Sequence, residues 1–162
     1  WDDDFTDDNA CTECFAASEL KKFITKCVDL RQGDVTLSGD ISTMPKGDCI
    51  LIGSRKSNPL IKRYSREKLD KAQSFNIYSF KDHLRAITII EGYDRAGSLY
   101  GVYDYLEMLG VKFIGLGEQG TVYPEGKLRR LPVGLDVTES PSFVDRGFKA
   151  WEDRDCNHEF FL

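Results

Sequence analysis

The clearest pattern of hydrophobic and polar positions lies between residues 86 and 114. Residues 86–90 are nearly all apolar and mostly β-branched, which predicts a buried strand. A polar break follows, and Asp94 is a suitable N-cap for a helix. Apolar residues then recur at helical spacing as far as Leu109, and Gly110 is typical of a helix C-terminus. The stretch therefore predicts a strand, a helix over 95–109 and a further strand over 111–114.

The rest of the chain predicts one more long helix and several short strands. Residues 10–31 read as a helix whose apolar stripe consists of Ala16, Leu20, Phe23, Cys27 and Leu30. Residues 58–72 are expected to be irregular, with a short helix over 66–72. Short apolar runs between turn residues predict strands over 49–52, 75–80, 84–90, 121–123 and 131–137. Two long helices among short strands indicate an α+β fold, a mixed β-sheet with helices packed on it.

Two glycines inside the second helix need a physical reason. Gly97 and Gly101 are four residues apart and so share one helix face, although each costs about 1 kcal/mol relative to alanine. Close approach of the helix backbone to a sheet or another helix is the favoured interpretation, and a ligand lying against bare backbone is the alternative. The spacing of Gly92, Gly97 and Gly101 does not fit the dinucleotide-binding pattern.

Composition indicates an ordinary globular domain. The 162 residues are 41% hydrophobic and 30% charged, enough for one domain with its own core. A net charge of −5 argues against nucleic acid as the main partner. No apolar run approaches the roughly 20 residues of a membrane span. Because the chain starts at Trp1 rather than Met, we expect a processed or trimmed segment.

The cysteines and the basic residues favour structural roles. Cys11 and Cys14 form a C-x-x-C pair, but zinc would need further ligands at suitable spacing, so no metal is predicted. Thiols buried around the first helix, such as Cys27, are the favoured reading, with a disulfide or redox site as alternatives. The basic stretch over 55–71 is expected to be a solvated loop and helix face, or alternatively a site for acidic sugars.

No carboxylate pair in the sequence is marked for catalysis. Glycoside hydrolysis needs two carboxylates about 5–10 Å apart across the scissile bond. Glu91 and Asp94 flank the turn before the second helix, where capping is the favoured role, and Glu118 lies in an exposed glycine-rich turn. Tyrosines of the second helix favour core packing over a sugar platform, with Tyr103 pointing inward. No serine, cysteine or histidine arrangement supports a nucleophilic triad.

The second helix and the strand after it carry a family resemblance. Residues 94–124, DRAGSLYGVYDYLEMLGVKFIGLGEQGTVYP, are similar to D-x-R-G-x-x-Y-G-V-Y-x-F-L-E-x-x-L-G-V-x-F followed by P-G-E-x-G. That pattern ends the N-terminal accessory domain of family 67 α-glucuronidases and of family 20 β-hexosaminidases. Residues 16–27 resemble the family's A-A-x-E-L-x-x-Y-L, and residues 141–155 its P-x-F-x-x-R-G. The departures are one extra residue, Arg95-Ala96-Gly97, and Leu116 in place of proline.

This resemblance implies an architecture and a role. The implied fold is an α+β sandwich like the second-domain module of hexosaminidases, which is zincin-like, with both helices on one face of the sheet. Residues 1–9 would be a polar lead-in, 10–140 the accessory domain, and 141–162 an exit segment into a missing catalytic (β/α)8 barrel. The catalytic carboxylates would lie on that barrel, so no catalytic residue and no cofactor is expected in this chain. The partners implied are the barrel and, through it, a carbohydrate, and export is favoured.

The resemblance also marks three residues for substrate contact. Arg146 matches the motif arginine that holds sugar hydroxyls in family 20, and a planar five-donor guanidinium suits that task. Arg154 matches a further arginine, and Trp151, which stands where the family has aspartate, could stack on a sugar ring. A structural ion pair for Arg146 and barrel packing for Trp151 are the alternatives. Other possible functions are a stand-alone glycan-binding module and a protein-interaction module.

Overall fold

The computed structural model describes residues 8–30, 34–66, 68–143 and 145–146. Three α-helices alternate with six strands in this part of the chain. The helices are α1 (Asp8–Cys27), α2 (Pro59–Tyr64) and α3 (Arg95–Met108), and a 3-10 helix spans Glu118–Gly120. The strands are β1 (Cys49–Gly53), β2 (Phe75–Asp82), β3 (Arg85–Gly92), β4 (Lys112–Phe113), β5 (Thr121–Val122) and β6 (Asp136–Glu139).

The main sheet is mixed, in the order β1-β3-β2-β6. β1 lies parallel to β3, whereas β2 lies antiparallel to both β3 and β6. The carboxyl ends of β1, β3 and β6 therefore meet at one edge of the sheet, where Phe75 of β2 is paired with both Gly92 and Glu139. The predicted α+β fold with a mixed sheet is confirmed.

Two hydrophobic clusters cover the two faces of this sheet. On one face α1 and α3 pack against each other and against Phe75, Ile77 and Ile90. On the other face α2 packs its Leu60 and Ile61 over the remaining apolar strand residues, Leu51, Tyr78, Ile87 and Ile89. Alternation of side chains along each strand divides them between the faces in this way. Both long helices thus lie on the same face.

The glycines of α3 allow this close packing. A Cβ atom on Gly97 would lie 2.2 Å from the carbonyl oxygen of Ser74, and one on Gly101 would lie 2.7 Å from Cγ2 of Ile90. The prediction of close backbone approach is confirmed at both positions. Asp94 caps α3 as predicted, and Gly110 follows the helix with a positive φ of 95°.

Several sequence-based expectations were wrong in detail. No helix forms over the described residues of 66–72. The short helix is α2, because Asn58 caps it and Pro59 occupies its first turn, where the missing N–H costs nothing. The last strand begins at Asp136 rather than at residue 131.

Three side chains also differ from expectation in burial. Tyr105 is the fully buried tyrosine of α3, whereas Tyr103 is half-buried and donates its hydroxyl to Glu19, 2.9 Å away. α3 contacts both the sheet and α1, so its buried surface is wider than a single stripe. Cys11 and Cys14 are exposed rather than buried, while Cys27 is buried. In the described part of the chain no helix is long and apolar enough to cross a membrane.

Candidate functional site

A polar cleft opens at the sheet edge where β1 and β3 end. Its volume is about 260 Å³. The loop after β1 and the turn between β3 and α3 form its walls, and the lining residues are Ser54, Lys56, Ser57, Tyr93, Asp94 and Arg95. Carboxyl ends of parallel strands are a common location for ligand sites, because loops of different strands meet there.

Glu13 of α1 supports the first wall of the cleft. Its Oε1 accepts a hydrogen bond from Oγ of Ser57 at 2.7 Å and from the backbone N–H of Ser54 at 3.2 Å. Burial raises the pKa of this carboxyl above its usual 4.5, and the two hydrogen bonds oppose that shift. The side chain thereby fixes the loop of residues 54–58 to a helix more than forty residues earlier in the chain.

Glu91, one residue before the end of β3, anchors the same loop from below. It is only 1% exposed, and its Oε1 accepts from Nε of Arg55 at 2.5 Å. Its Oε2 accepts from Oγ of Ser65 at 2.7 Å. The expectation that Glu91 caps the helix is wrong, because its side chain is held in this ion pair. Arg55 belongs to the stretch expected to be solvated, and it neutralises a buried charge instead.

Asp94 is occupied within the protein as well. Its Oδ1 accepts from the backbone N–H of Gly97 at 2.8 Å, and its Oδ2 accepts from that of Gln73 at 3.0 Å. Tyr93 beside it is 40% exposed, and Nζ of Lys56 lies 5.8 Å from the centre of its ring. No carboxylate of the described residues lies within 4 Å of that Nζ.

Arg146 lies on the flank of the same edge. Its guanidinium is 5.2 Å from the ring centre of Tyr100 and donates a hydrogen bond to Oε1 of Gln73. Gln73 in turn contacts Asp94, so Arg146 is connected to the cleft through two side chains. Trp151 and Arg154, the other two predicted contact residues, lie outside the described residues, and the role of all three stays a prediction.

The arrangement favours binding over bond-breaking chemistry. The carboxylates of Glu13, Glu91 and Asp94 all accept hydrogen bonds from the protein itself. Ser57 contacts a carboxylate rather than an imidazole, and His83, the one histidine in the described ranges, lies at the hairpin between β2 and β3, at the opposite end of these strands. The same part of the chain holds no cluster of potential metal ligands. A cation and an exposed aromatic ring remain available at the cleft.

Sequence reasoning missed the core of this site. Its residues come from α1, from the loop after β1 and from the end of β3, and only the fold brings them together. One local signal was available, since the polar run Ser54-Arg55-Lys56-Ser57-Asn58 directly follows the predicted strand over 49–52. A polar loop at the carboxyl end of a buried strand is a general indication of a site.

Comparison with known proteins identifies two relatives. The chain is 29% identical over 149 residues to a β-hexosaminidase of Porphyromonas gingivalis, which covers 91% of this chain and 16% of that protein. Among solved structures it resembles a family 115 4-O-methyl-α-glucuronidase with specificity for decorated arabinogalactans. The TM-score is 0.50 at 16% identity, covering 81% of this chain and 16% of the other. No family model matches the chain.

These likenesses bear directly on the resemblance drawn from the sequence. One relative is similar in sequence and the other in fold, and both are glycosidases, hence hydrolases. The chain spans about one sixth of the length of either relative. The predicted resemblance to an accessory domain of glycoside hydrolases is confirmed.

Proposed function

We propose that this chain is a non-catalytic accessory domain of a larger glycoside hydrolase, one that cleaves glycosidic bonds in carbohydrate metabolism. One observation carries the proposal: the chain is similar to glycosidases but spans only 16% of the sequence relative. We assign its fold to the module that precedes the barrel in hexosaminidases and α-glucuronidases. Two long helices on one face of a mixed sheet support that assignment.

The chemistry of the cleft supports a non-catalytic role. A glycosidase needs one carboxylic acid that can protonate the leaving oxygen and a second carboxylate facing the sugar. At the cleft, Glu13 holds a loop in place and Asp94 caps a helix, while Glu91 is buried in an ion pair. Because these groups are used structurally, the acid and its partner are assigned to another domain of the parent protein.

The proposed domain organisation follows the course of the chain. Residues 10–140 would form the accessory domain and residues 141–162 would lead into a (β/α)8 barrel. β6 ends at Glu139 on the cleft edge, and the chain reaches Gln73 through Arg146, so it leaves the sheet on this side. In the parent enzyme Arg146, Trp151 and Arg154 would contact the sugar. The exposure of Arg146 supports its part in this assignment.

A second candidate function is recognition of a glycan or a protein by this chain alone. The cleft supports it, because Lys56 and the half-exposed ring of Tyr93 suit both a sugar and an acidic side chain. This candidate requires measurable affinity without any catalytic domain.

The first test is the size of the native polypeptide. An antibody raised against residues 34–66 would be used to blot the native source. A barrel adds about 250 residues, so we expect a band far above 18.4 kDa. A band near 18.4 kDa would refute the accessory-domain proposal and leave the binding module as the function.

The second test asks whether any acid of the cleft takes part in catalysis. In the parent enzyme, Glu13→Gln is expected to change kcat on aryl glycosides by less than about tenfold, whereas loss of a general acid costs about 10²–10⁴-fold. Glu118→Gln, an exposed glutamate that pairs with Lys26, is the matched control. A fall of a thousandfold in the Glu13 variant alone would place catalysis in this domain.

A further inference from the structure

The edge of the sheet described above carries an unusual set of exposed side chains. We call it the exit edge and define it by Lys56, Tyr93, Tyr100, Phe143 and Arg146. The two tyrosines are about 40% exposed and Phe143 is 73% exposed. Tyrosine, phenylalanine and arginine are the residues enriched at the centres of protein interfaces.

Strand direction explains why these residues are close together. β1 and β3 run toward this edge, which places Lys56 and Tyr93 in the loops that follow them. β6 runs the same way and ends at Glu139 opposite Phe75. The chain then continues to Arg146, which contacts Gln73 and the ring of Tyr100. Phe143 lies on this path, between the end of β6 and Arg146.

Charge at the exit edge is only partly balanced. The carboxylates around the cleft are occupied, since Asp94 accepts from two backbone N–H groups and Glu13 from Ser57 and Ser54. Lys56 has no carboxylate partner among the described residues and contacts only the face of Tyr93. Glu139 and Asp145 are exposed carboxylates of the same edge, but they belong to the departing chain and do not line the cleft. The cleft itself is therefore suited to a carboxylate.

We propose that the exit edge is the surface on which the next domain of the same polypeptide docks, with an acidic side chain of that domain entering the cleft to pair with Lys56. The inference rests on the proposed function, since it requires a parent protein with a further domain. Continuity supports this occupant, because the chain leaves the domain at this edge and the relatives are about six times longer. A domain tethered here is at high effective concentration next to the cleft.

Zero-length cross-linking of the intact parent protein tests this directly. A carbodiimide joins a lysine to a carboxylate only when the two are in contact. Lys56 is expected to form an amide with an aspartate or glutamate beyond residue 162, identified by mass spectrometry of the peptides. Lys81 is the matched control, because it is an exposed lysine at the far end of β2, paired with Ala86.

A charge reversal gives a second readout on the same parent protein. Lys56→Glu should speed proteolytic cleavage between the domains about tenfold, because a carboxylate would then face a carboxylate across the interface. Lys81→Glu should leave the cleavage rate unchanged. Hydrogen exchange at residues 93–100 should rise in the first variant only.

Each other result would overturn the inference. A cross-link from Lys81 but not Lys56, or none from Lys56, would place the interface elsewhere. A cross-link from Lys56 to a second copy of the chain would make the edge a dimer contact. Protection of Lys56 by an added acidic sugar, without a cross-link between domains, would make the cleft a glycan site. The proposed function fails separately, if the native polypeptide is no longer than this chain.

Discussion

At the scale of single residues, the ion pair of Glu91 and Arg55 shows how a buried charge shapes the cleft. Glu91 is 1% exposed, whereas the side chain of Arg55 is 33% exposed. The arginine and Ser65 together occupy both oxygens of the carboxylate. The pair orients the loop that carries Lys56, so the position of the exposed cation depends on a charge that solvent does not reach.

Removal of the arginine is expected to be costly. Arg55→Met would leave a buried carboxylate without its cation and should lower the free energy of unfolding by about 3 kcal/mol. Urea denaturation would measure it. The double variant Arg55→Met/Glu91→Leu should recover most of the loss, because neither charge is then left unpaired. A double variant as unstable as the single one would contradict this account.

Glu13 makes a prediction about pH. Because burial raises its pKa, the folded chain retains this proton at pH values where the unfolded chain has released it. The stabilising contribution of the protonated Glu13 is thus complete at low pH and is lost as the pH rises from 4.5 through the folded-state pKa.

An NMR titration of the Glu13 carboxyl carbon would measure that shift. The midpoint should lie above 4.5 and should rise further in Ser57→Ala, which removes a hydrogen bond that lowers the pKa. Ser65→Ala is the matched control, because its hydroxyl contacts Glu91 instead. A midpoint below 4.5 in the native chain would refute the dominance of burial.

At the scale of elements, α3 is fixed at both ends and along its length. Asp94 caps it and also binds the backbone of Gln73, so the capping residue joins the helix to the segment before β2. The helix then lies close enough to Ser74 and Ile90 that two turns admit only glycine. A helix with this little clearance cannot shift without moving β2 and β3.

Gly97→Ala tests this close contact. Alanine gains about 1 kcal/mol in helix propensity, but its Cβ would lie 2.2 Å from the backbone oxygen of Ser74. We expect a net loss of about 2 kcal/mol, seen as a lower Tm, because overpacking against backbone costs more than propensity returns. Gly39→Ala, which has no heavy atom within 4 Å, should leave Tm almost unchanged. An increase in Tm for Gly97→Ala would disprove the contact.

Sequence patterns predicted these elements better than they predicted the cleft. The strand before Glu91, the Asp94 cap and the close approach at Gly97 follow from local signals, namely branched apolar residues, a capping side chain and a costly glycine. α2 was misplaced because the basic run over 62–71 obscured the Asn58-Pro59 start. The cleft depends on Glu13 meeting Ser57, a contact across more than forty residues that no local pattern encodes.

At the scale of the whole molecule, the sheet edge with the cleft is also the edge from which the chain departs. In the proposed parent enzyme this edge would set the orientation of the domain relative to the sugar site. Arg146 is the residue that tests this assignment. Arg146→Ala should raise KM for the sugar substrate about tenfold with a smaller change in kcat, because a guanidinium bond to hydroxyls contributes about 1.5–3 kcal/mol.

A matched lysine variant separates contact from charge. Arg146→Lys keeps the charge but loses the fork of donors, so its KM should stay close to that of the alanine variant. Arg129→Ala, an exposed arginine preceding β6, should leave KM unchanged. An unchanged KM in the alanine variant would leave Arg146 with its contacts to Gln73 and Tyr100 as its role.

The position of β6 has a consequence for synthesis of the protein. The outer edge of β2 stays unpaired until residues 136–139 have been made, although β2 itself ends at Asp82. For more than fifty residues of translation the nascent chain therefore presents Phe75, Ile77 and Tyr78 on an open strand edge, a template for pairing with another chain. Shortened versions that stop before Asp136 would keep that edge open permanently and would be expected to aggregate.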